Sequence, residues 1–198
     1  MAASDDVKRT EGGLDINAIA HTSEPLTTKE FFALDVDEKL KVELIGGALL
    51  VSPSAKAWHN RVANYLFRLL EDTLGPGFLV FTDIDVILDE EYVPRPDVFV
   101  VRSAGCDVDA VAKAADVLVA LEVVSPGSKV ADRQVKPAAY RDAGIPTWRI
   151  ERDGKRLYLV ETPLHGMERT HVGTTTMKVA DIEVVVDLDA VARHVFGD

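Results

Sequence analysis

Two acidic residues sit inside apolar runs. In "VPRPDVFVV", residues 93–101, the acid is Asp97; in "VLVALEVVSPGS", residues 117–128, it is Glu122. A lone ionised carboxylate does not persist in an apolar interior, so each must be ion-paired, protonated or bound to a metal. Both lie near the end of a strand-like run. Asp97 follows Arg95-Pro96, and Pro126 must end the ladder soon after Glu122. Carboxylates at neighbouring strand ends can converge, and converging hard oxygens suit Mg²⁺ or Mn²⁺. The competing reading pairs Asp97 with Arg95 or Arg102, and Glu122 with some other base. These two residues alone leave both readings open.

Other residues bear on the choice. Glu43 lies in "KVELIGGALL", alternating with Val42 and Leu44, and by itself reads as the solvent face of a strand. Lys129 and Lys136 follow Glu122, and a lysine near reacting phosphate can move a proton or stabilise charge. His59, at the start of a long helix, could face the site but reads first as a surface or capping residue. His21, His165, His171 and His194 are scattered without ligand spacing. Asp83 and Asp85 alternate in "FTDIDVIL"; one of them could face a metal, but they read first as an exposed strand edge. Tyr140 and Trp148 read as packing residues. Ser125 and Ser128 have no His and Asp partners in a usable order, which argues against a serine hydrolase. The glycine-rich turns lack a phosphate-loop lysine.

The elements that must hold these groups follow from periodicity. "TTKEFFAL" opens a short helix with capping-box spacing from Thr27 to Glu30. "KVELIGGALLVS" is a hairpin bending at Gly46-Gly47. Val62, Tyr65, Leu66, Leu69, Leu70 and Leu74 mark one face of a helix that "GPG" at 75–77 stops. Strands are predicted near 78–81, 84–88, 96–101 and 117–124, a helix over 134–143, and a hairpin in "TWRIERDGKRLYLVET" turning at Asp153-Gly154. Short strands and a terminal helix close the chain. Residues 1–24 are polar and aperiodic, which predicts a flexible tail before a single mixed α/β domain at 25–198.

Composition sets the limits. The chain has 198 residues, 47% of them hydrophobic, enough for one domain with a core. No run reaches the length of a membrane span, the first residues lack the apolar stretch of a signal peptide, and Cys106 is the single cysteine. A cytoplasmic protein without disulfides is expected. The net charge of −11 is a poor signature for a nucleic-acid binder. Between Pro126 and Arg156, however, eight basic residues face four acidic ones. That segment is either a solvated basic helix and hairpin or the side from which a polyanion approaches.

The ordered set of Glu43, "RPDV" with Asp97, "LEVVSP" with Glu122, and "DRQVK" with Lys136 before "YRDAGIPTW" resembles the PD-(D/E)xK nuclease superfamily. Within it, the set is most similar to the bacterial Uma-type restriction endonuclease family, over about residues 27–160. The resemblance implies a restriction-endonuclease-like core, a mixed central sheet flanked by helices. It implies a Mg²⁺-dependent endonuclease acting on DNA. Asp97 and Glu122 would bind the metal with the backbone carbonyl of Val123, and Glu43 would assist. One departure stands out. The superfamily's lysine normally follows the Glu by two residues, and here that place is Val124. The resemblance implies that the lysine has moved to Lys136. Proline is tolerated in a first helical turn, so Pro137 predicts a helix starting near Gln134 to Lys136. The field of that helix start would favour a lower lysine pKa.

Two alternatives stay open: a catalytically inactive nuclease fold that only binds, and a structural or partner-binding protein whose acids are merely ion-paired. A homodimer is expected, because cutting both DNA strands needs two sites and because "IEVVVDLDAVARHVF" carries more valine than a solvated tail needs.

Overall fold

The computed structural model describes residues 24–36, 40–52, 55–125 and 130–197. All but the last residue of the expected tail, together with His21, Ser128 and Lys129, lie outside the described residues.

The chain enters through helix α1 (Thr28–Phe31), whose capping box is formed by Thr27 and Glu30. Strands β1 (Lys41–Ile45) and β2 (Ala48–Ser52) make the expected hairpin. Gly46 and Gly47, at φ 60° and 71°, supply the left-handed pair that a two-residue bend requires. A Cβ at Gly47 would lie 2.4 Å from Cβ of Pro25, so the bend also admits no side chain there.

Helix α2 (Ala57–Leu74) buries Val62, Ala63, Leu66, Leu70 and Leu74, a repeat of three and four residues that fits one helical face. Strand β3 (Phe78–Phe81) follows, then the short strands β4 (Val86–Ile87) and β5 (Tyr92–Val93), β6 (Val98–Arg102), β7 (Ala112–Lys113) and β8 (Val117–Val123). A π-helical turn, Ala131–Val135, runs directly into helix α3 (Lys136–Asp142). Strands β9 (Thr147–Asp153), β10 (Arg156–Thr162), β11 (Arg169–His171), β12 (Thr174–Val179) and β13 (Ile182–Asp187) lead to helix α4 (Leu188–Phe196).

The central sheet has six strands in the order β11-β10-β9-β8-β6-β3. Only β8 and β9 are parallel in it, and α3 lies in the crossover that such a pair needs. The mixed sheet flanked by helices is the architecture expected. One face is covered by α2, α4 and the β12–β13 ribbon, packed on Val98, Val100, Val119, Leu121 and Ile150. The other carries Phe99, Val101 and Ala120, with Tyr140 of α3 and Ile145 against them. Val184, Val186, Leu188 and Val191 of the C-terminal segment enter the first core. Their apolar character is satisfied within the chain and gives no independent reason for a dimer. A separate three-stranded sheet, β2-β1-β5, stands beside the large one. Among the described residues, no helix is long and apolar enough to cross a membrane.

Candidate functional site

Strands β6 and β8 pair antiparallel with Val98 opposite Leu121. One step further out, Asp97 therefore stands opposite Glu122, and directly opposed residues project on the same face. Both acids share the face of Phe99 and Ala120, toward α3. Both are buried, Asp97 at 4% and Glu122 at 2% exposure. The backbone N–H of Val123 donates to Oδ2 of Asp97 at 2.7 Å. In an extended strand a residue's carbonyl leaves on the same edge as its N–H, so the Val123 carbonyl is directed to the Asp97 side.

Helix α3 covers this pair. Asp132, Lys136 and Tyr140 follow at intervals of four and so line one helical face. Nζ of Lys136 lies 2.7 Å from Oε1 of Glu43, 3.2 Å from Oε1 of Glu122 and 3.4 Å from Oδ1 of Asp132. The Tyr140 hydroxyl donates to Oε1 of Glu122 at 3.0 Å. Oε1 of Glu43 also accepts the backbone N–H of Arg95 at 2.8 Å. Glu43 is thus not on a solvent face. It is buried at 1% and joins the small sheet to the large one through Lys136. The structure brings Glu43, Asp97, Glu122 and Lys136 into one cluster, while Val124 is buried in the apolar interior.

Electrostatics correct one expectation. Lys136 begins α3, but the π-helical turn precedes it, so it does not occupy a free helix end. The wide turn also accommodates Pro137, which has no N–H to offer a preceding carbonyl. Burial alone would lower the lysine pKa, yet Glu122, Glu43 and Asp132 outweigh it and raise the pKa well above the ordinary value. Lys136 is a permanent cation among carboxylates. Burial, reinforced by Asp97 and Asp132 and opposed by Lys136, pushes the Glu122 carboxyl up to about 8. Burial works in the same direction on Asp97, but His59 and Lys41 prevail and hold it below its usual range.

Four members of this cluster were not assigned to it from sequence: Asp132, Tyr140, which does more than pack, His59 and Lys41. His59 is buried rather than a surface cap, and its Nε2 lies 3.0 Å from Oδ2 of Asp97. Burial opposes its protonation, but Asp97 raises its pKa. Lys41 donates to Oδ1 of Asp97 at 2.9 Å and to Oδ1 of Asp83 at 3.3 Å. The period of two in β1 was the available signal, since Lys41 and Glu43 fall on the same side of one strand. The expected arginine partners of Asp97 are otherwise engaged or placed. Arg95 forks onto Asp85 at 2.7 and 3.2 Å, and Arg102 lies over the Phe78 ring at 5.7 Å. Asp83 and Asp85 are thus charge partners of Lys41 and Arg95, and Asp83 turns the chain at φ 52° rather than continuing a strand.

The basic segment also differs from its sequence reading. Arg149, opposite Glu122 in the parallel β8–β9 pair, is buried and held by Thr162 at 3.1 Å and Glu168 at 2.6 Å. Arg133 pairs with Glu151 at 2.5 Å, and Arg152 stacks on Trp58 and Phe196. Much of the local positive charge therefore serves the protein's own carboxylates and rings.

The donor types suit a divalent cation: two buried carboxylates and a carbonyl aimed at the same edge. Both oxygens of Asp97 are engaged, however, and among the described residues no three His, Cys, Asp or Glu stand together ready to hold a metal. Lys41 puts positive charge where such a cation would bind, and His59 adds to it when protonated.

A protein-family model named Uma2, described as "Putative restriction endonuclease", matches residues 28–188. A solved structure from Anabaena variabilis, described as a putative nuclease belonging to DUF820, is similar with a TM-score of 0.67. It is 13% identical, and the alignment covers 87% of this chain and all of that one, a likeness of fold. No curated protein matches the chain.

Proposed function

The chain belongs to the Uma2 family, and from that premise we propose that it is a Mg²⁺- or Mn²⁺-dependent endonuclease that hydrolyses phosphodiester bonds in DNA. The observation that carries this reading is the shared end of β6 and β8, where Asp97 and Glu122 lie opposite each other on one face beneath Lys136. In the proposal Asp97, Glu122 and the Val123 carbonyl hold the cation. When bound, a divalent cation neutralises charge developing on the phosphate and acidifies the water it holds. Lys136 and Glu43 act on Glu122. The ammonium fixes Oε1 and Tyr140 donates to the same oxygen, which orients the carboxylate that would hold the cation. Glu43 holds the ammonium in turn. Cutting both strands calls for two such sites, so we propose that two copies pair, a state that light scattering tests.

A second reading has its own support. The engaged oxygens of Asp97 and valine at position 124 favour a nuclease fold whose acids are ion-paired and which binds without cutting. Plasmid nicking separates the two. Supercoiled DNA should relax with Mg²⁺ or Mn²⁺ present, stay intact in chelator, and stay intact with Glu122→Ala. A wild-type protein that shifts DNA on a gel but never nicks it would favour the second reading.

A further inference from the structure

We propose that Lys41 is the ammonium group that receives a substrate phosphate, an assignment that rests on the endonuclease reading above. An ammonium carries three donors and no acceptor. Lys136 faces three carboxylates, from Glu43, Glu122 and Asp132, so one donor answers each and none remains for a ligand. Its side chain is 2% exposed, and a polyanion cannot reach it without unpacking α3. Lys41 differs in both respects. Among the described residues its ammonium is held by two carboxylates, Asp97 and Asp83, which leaves a third donor for a ligand there. Its side chain is 24% exposed, and Asp83, its outer partner, is exposed at 67%. Lys41 thus spans the distance from a buried carboxylate to solvent, at the mouth of the cluster.

The neighbouring cations do not compete for this role. Both ring nitrogens of His59 are engaged, Nε2 with Asp97 and Nδ1 with Asn60 at 3.3 Å. Arg95 is turned onto Asp85 through two nitrogens. The position of Lys41 is also fixed, because it sits on a paired strand, and groups on rigid elements hold their geometry better than groups on loops. Asp97 keeps the ammonium beside the acids, so a phosphate oxygen held by Lys41 would lie at the same place. Lys136 then acts as a positioning residue for Glu122, and Lys41 is the residue that touches substrate.

The test uses a labelled DNA duplex and fluorescence anisotropy in chelator, across a range of salt. Lys41→Gln should weaken binding roughly five- to tenfold, and the slope of log affinity against log salt should fall by about 0.9, as for one lost phosphate contact. Lys41→Arg should keep the slope. Lys178→Gln, the same charge change on exposed strand β12, should leave both values unchanged. Carbon-13 NMR of the lysine ε-methylene groups gives a second measurement that needs no variant. Bound DNA should shift the Lys41 signal and leave that of Lys136 in place. An unmoved Lys41 signal on bound DNA, or a wild-type salt slope in a folded Lys41→Gln protein, overturns the assignment and leaves the endonuclease reading standing. Wild-type protein that neither binds nor cuts DNA overturns both.

Discussion

Val123 gives its backbone N–H to Oδ2 of Asp97 at 2.7 Å, so a side chain following Pro96 completes the hydrogen bonding of β8 where its ladder with β6 ends. Asp97 therefore has a structural task besides any chemical one. Asp97→Ala would leave the Val123 donor, the Lys41 ammonium and His59 without their carboxylate. Breaking a buried charged cluster in this way costs about 3–5 kcal/mol. Asp97→Asn keeps an acceptor for Val123 and should cost less, roughly 1–3 kcal/mol. Urea unfolding measures both. An alanine variant within experimental error of wild type would show that the contact is dispensable.

Lys136 makes a sharper case. It is the cation around which Glu43, Glu122 and Asp132 gather, all buried. Lys136→Met keeps most of the volume and removes the charge. The loss should match that of Lys136→Ala, about 3–5 kcal/mol, because uncompensated carboxylates and not a cavity dominate it. Equal stability of the methionine variant and wild type in thermal unfolding would refute this. A merely structural role predicts nothing about how Glu122 works, so the variant should also lose nicking at temperatures where circular dichroism shows it folded.

The sequence made much of this arrangement legible, and the limits have physical causes. The hairpin at Gly46-Gly47 and the helix ending at Gly75 follow from local chemistry and stand where expected, while the later hairpin turns at Gly154-Lys155, one residue beyond the expected Asp153-Gly154. Asp97 and Glu122 were conspicuous because charge in an apolar run needs an explanation. Glu43 was not, since a strand of alternating residues looks the same whether its polar face meets water or another domain element. Lys136 was located from Pro137, but its pKa was misjudged. A helix-start field is a local property, whereas the carboxylates that govern it come from β1, β8 and the turn before α3. Lys41 and His59 carry no local signal of burial, and only the packed strands reveal what they touch.

A second ion pair on the same sheet face should govern part of the acid stability. Glu168 holds buried Arg149 at 2.6 and 3.3 Å. The hydrogen bond from Arg149 keeps the Glu168 carboxyl below its ordinary 4.5, against the opposing effect of burial. A carboxylate with a depressed folded pKa contributes stability above its unfolded pKa and loses it as pH falls through the folded value. Glu168→Gln should therefore lower the melting temperature at neutral pH. Because Glu168 is about half exposed, the loss should be on the order of 1 kcal/mol. The gap to wild type should close as pH drops below about 4. A gap that widens in acid would give the shift the wrong sign.

Divalent cations supply the last expectation. A ligand bound by the native state alone stabilises it by mass action, about 2.7 kcal/mol at a hundredfold excess over its dissociation constant. In a domain of this size that corresponds to a rise of roughly 5–10 °C in melting temperature. Wild-type protein should show it with Mg²⁺ or Mn²⁺. A chain with a net charge of −11 also attracts cations diffusely, so the rise by itself does not locate a site. Asp97→Asn and Glu122→Gln do locate it, because each removes one proposed donor and changes the charge of the chain by no more than one unit. Both variants should lose most of the cation-dependent rise, while Glu168→Gln, an equal change of charge elsewhere, should retain it. Equal rises in all four proteins would place the binding on the acidic surface and remove Asp97 and Glu122 as ligands.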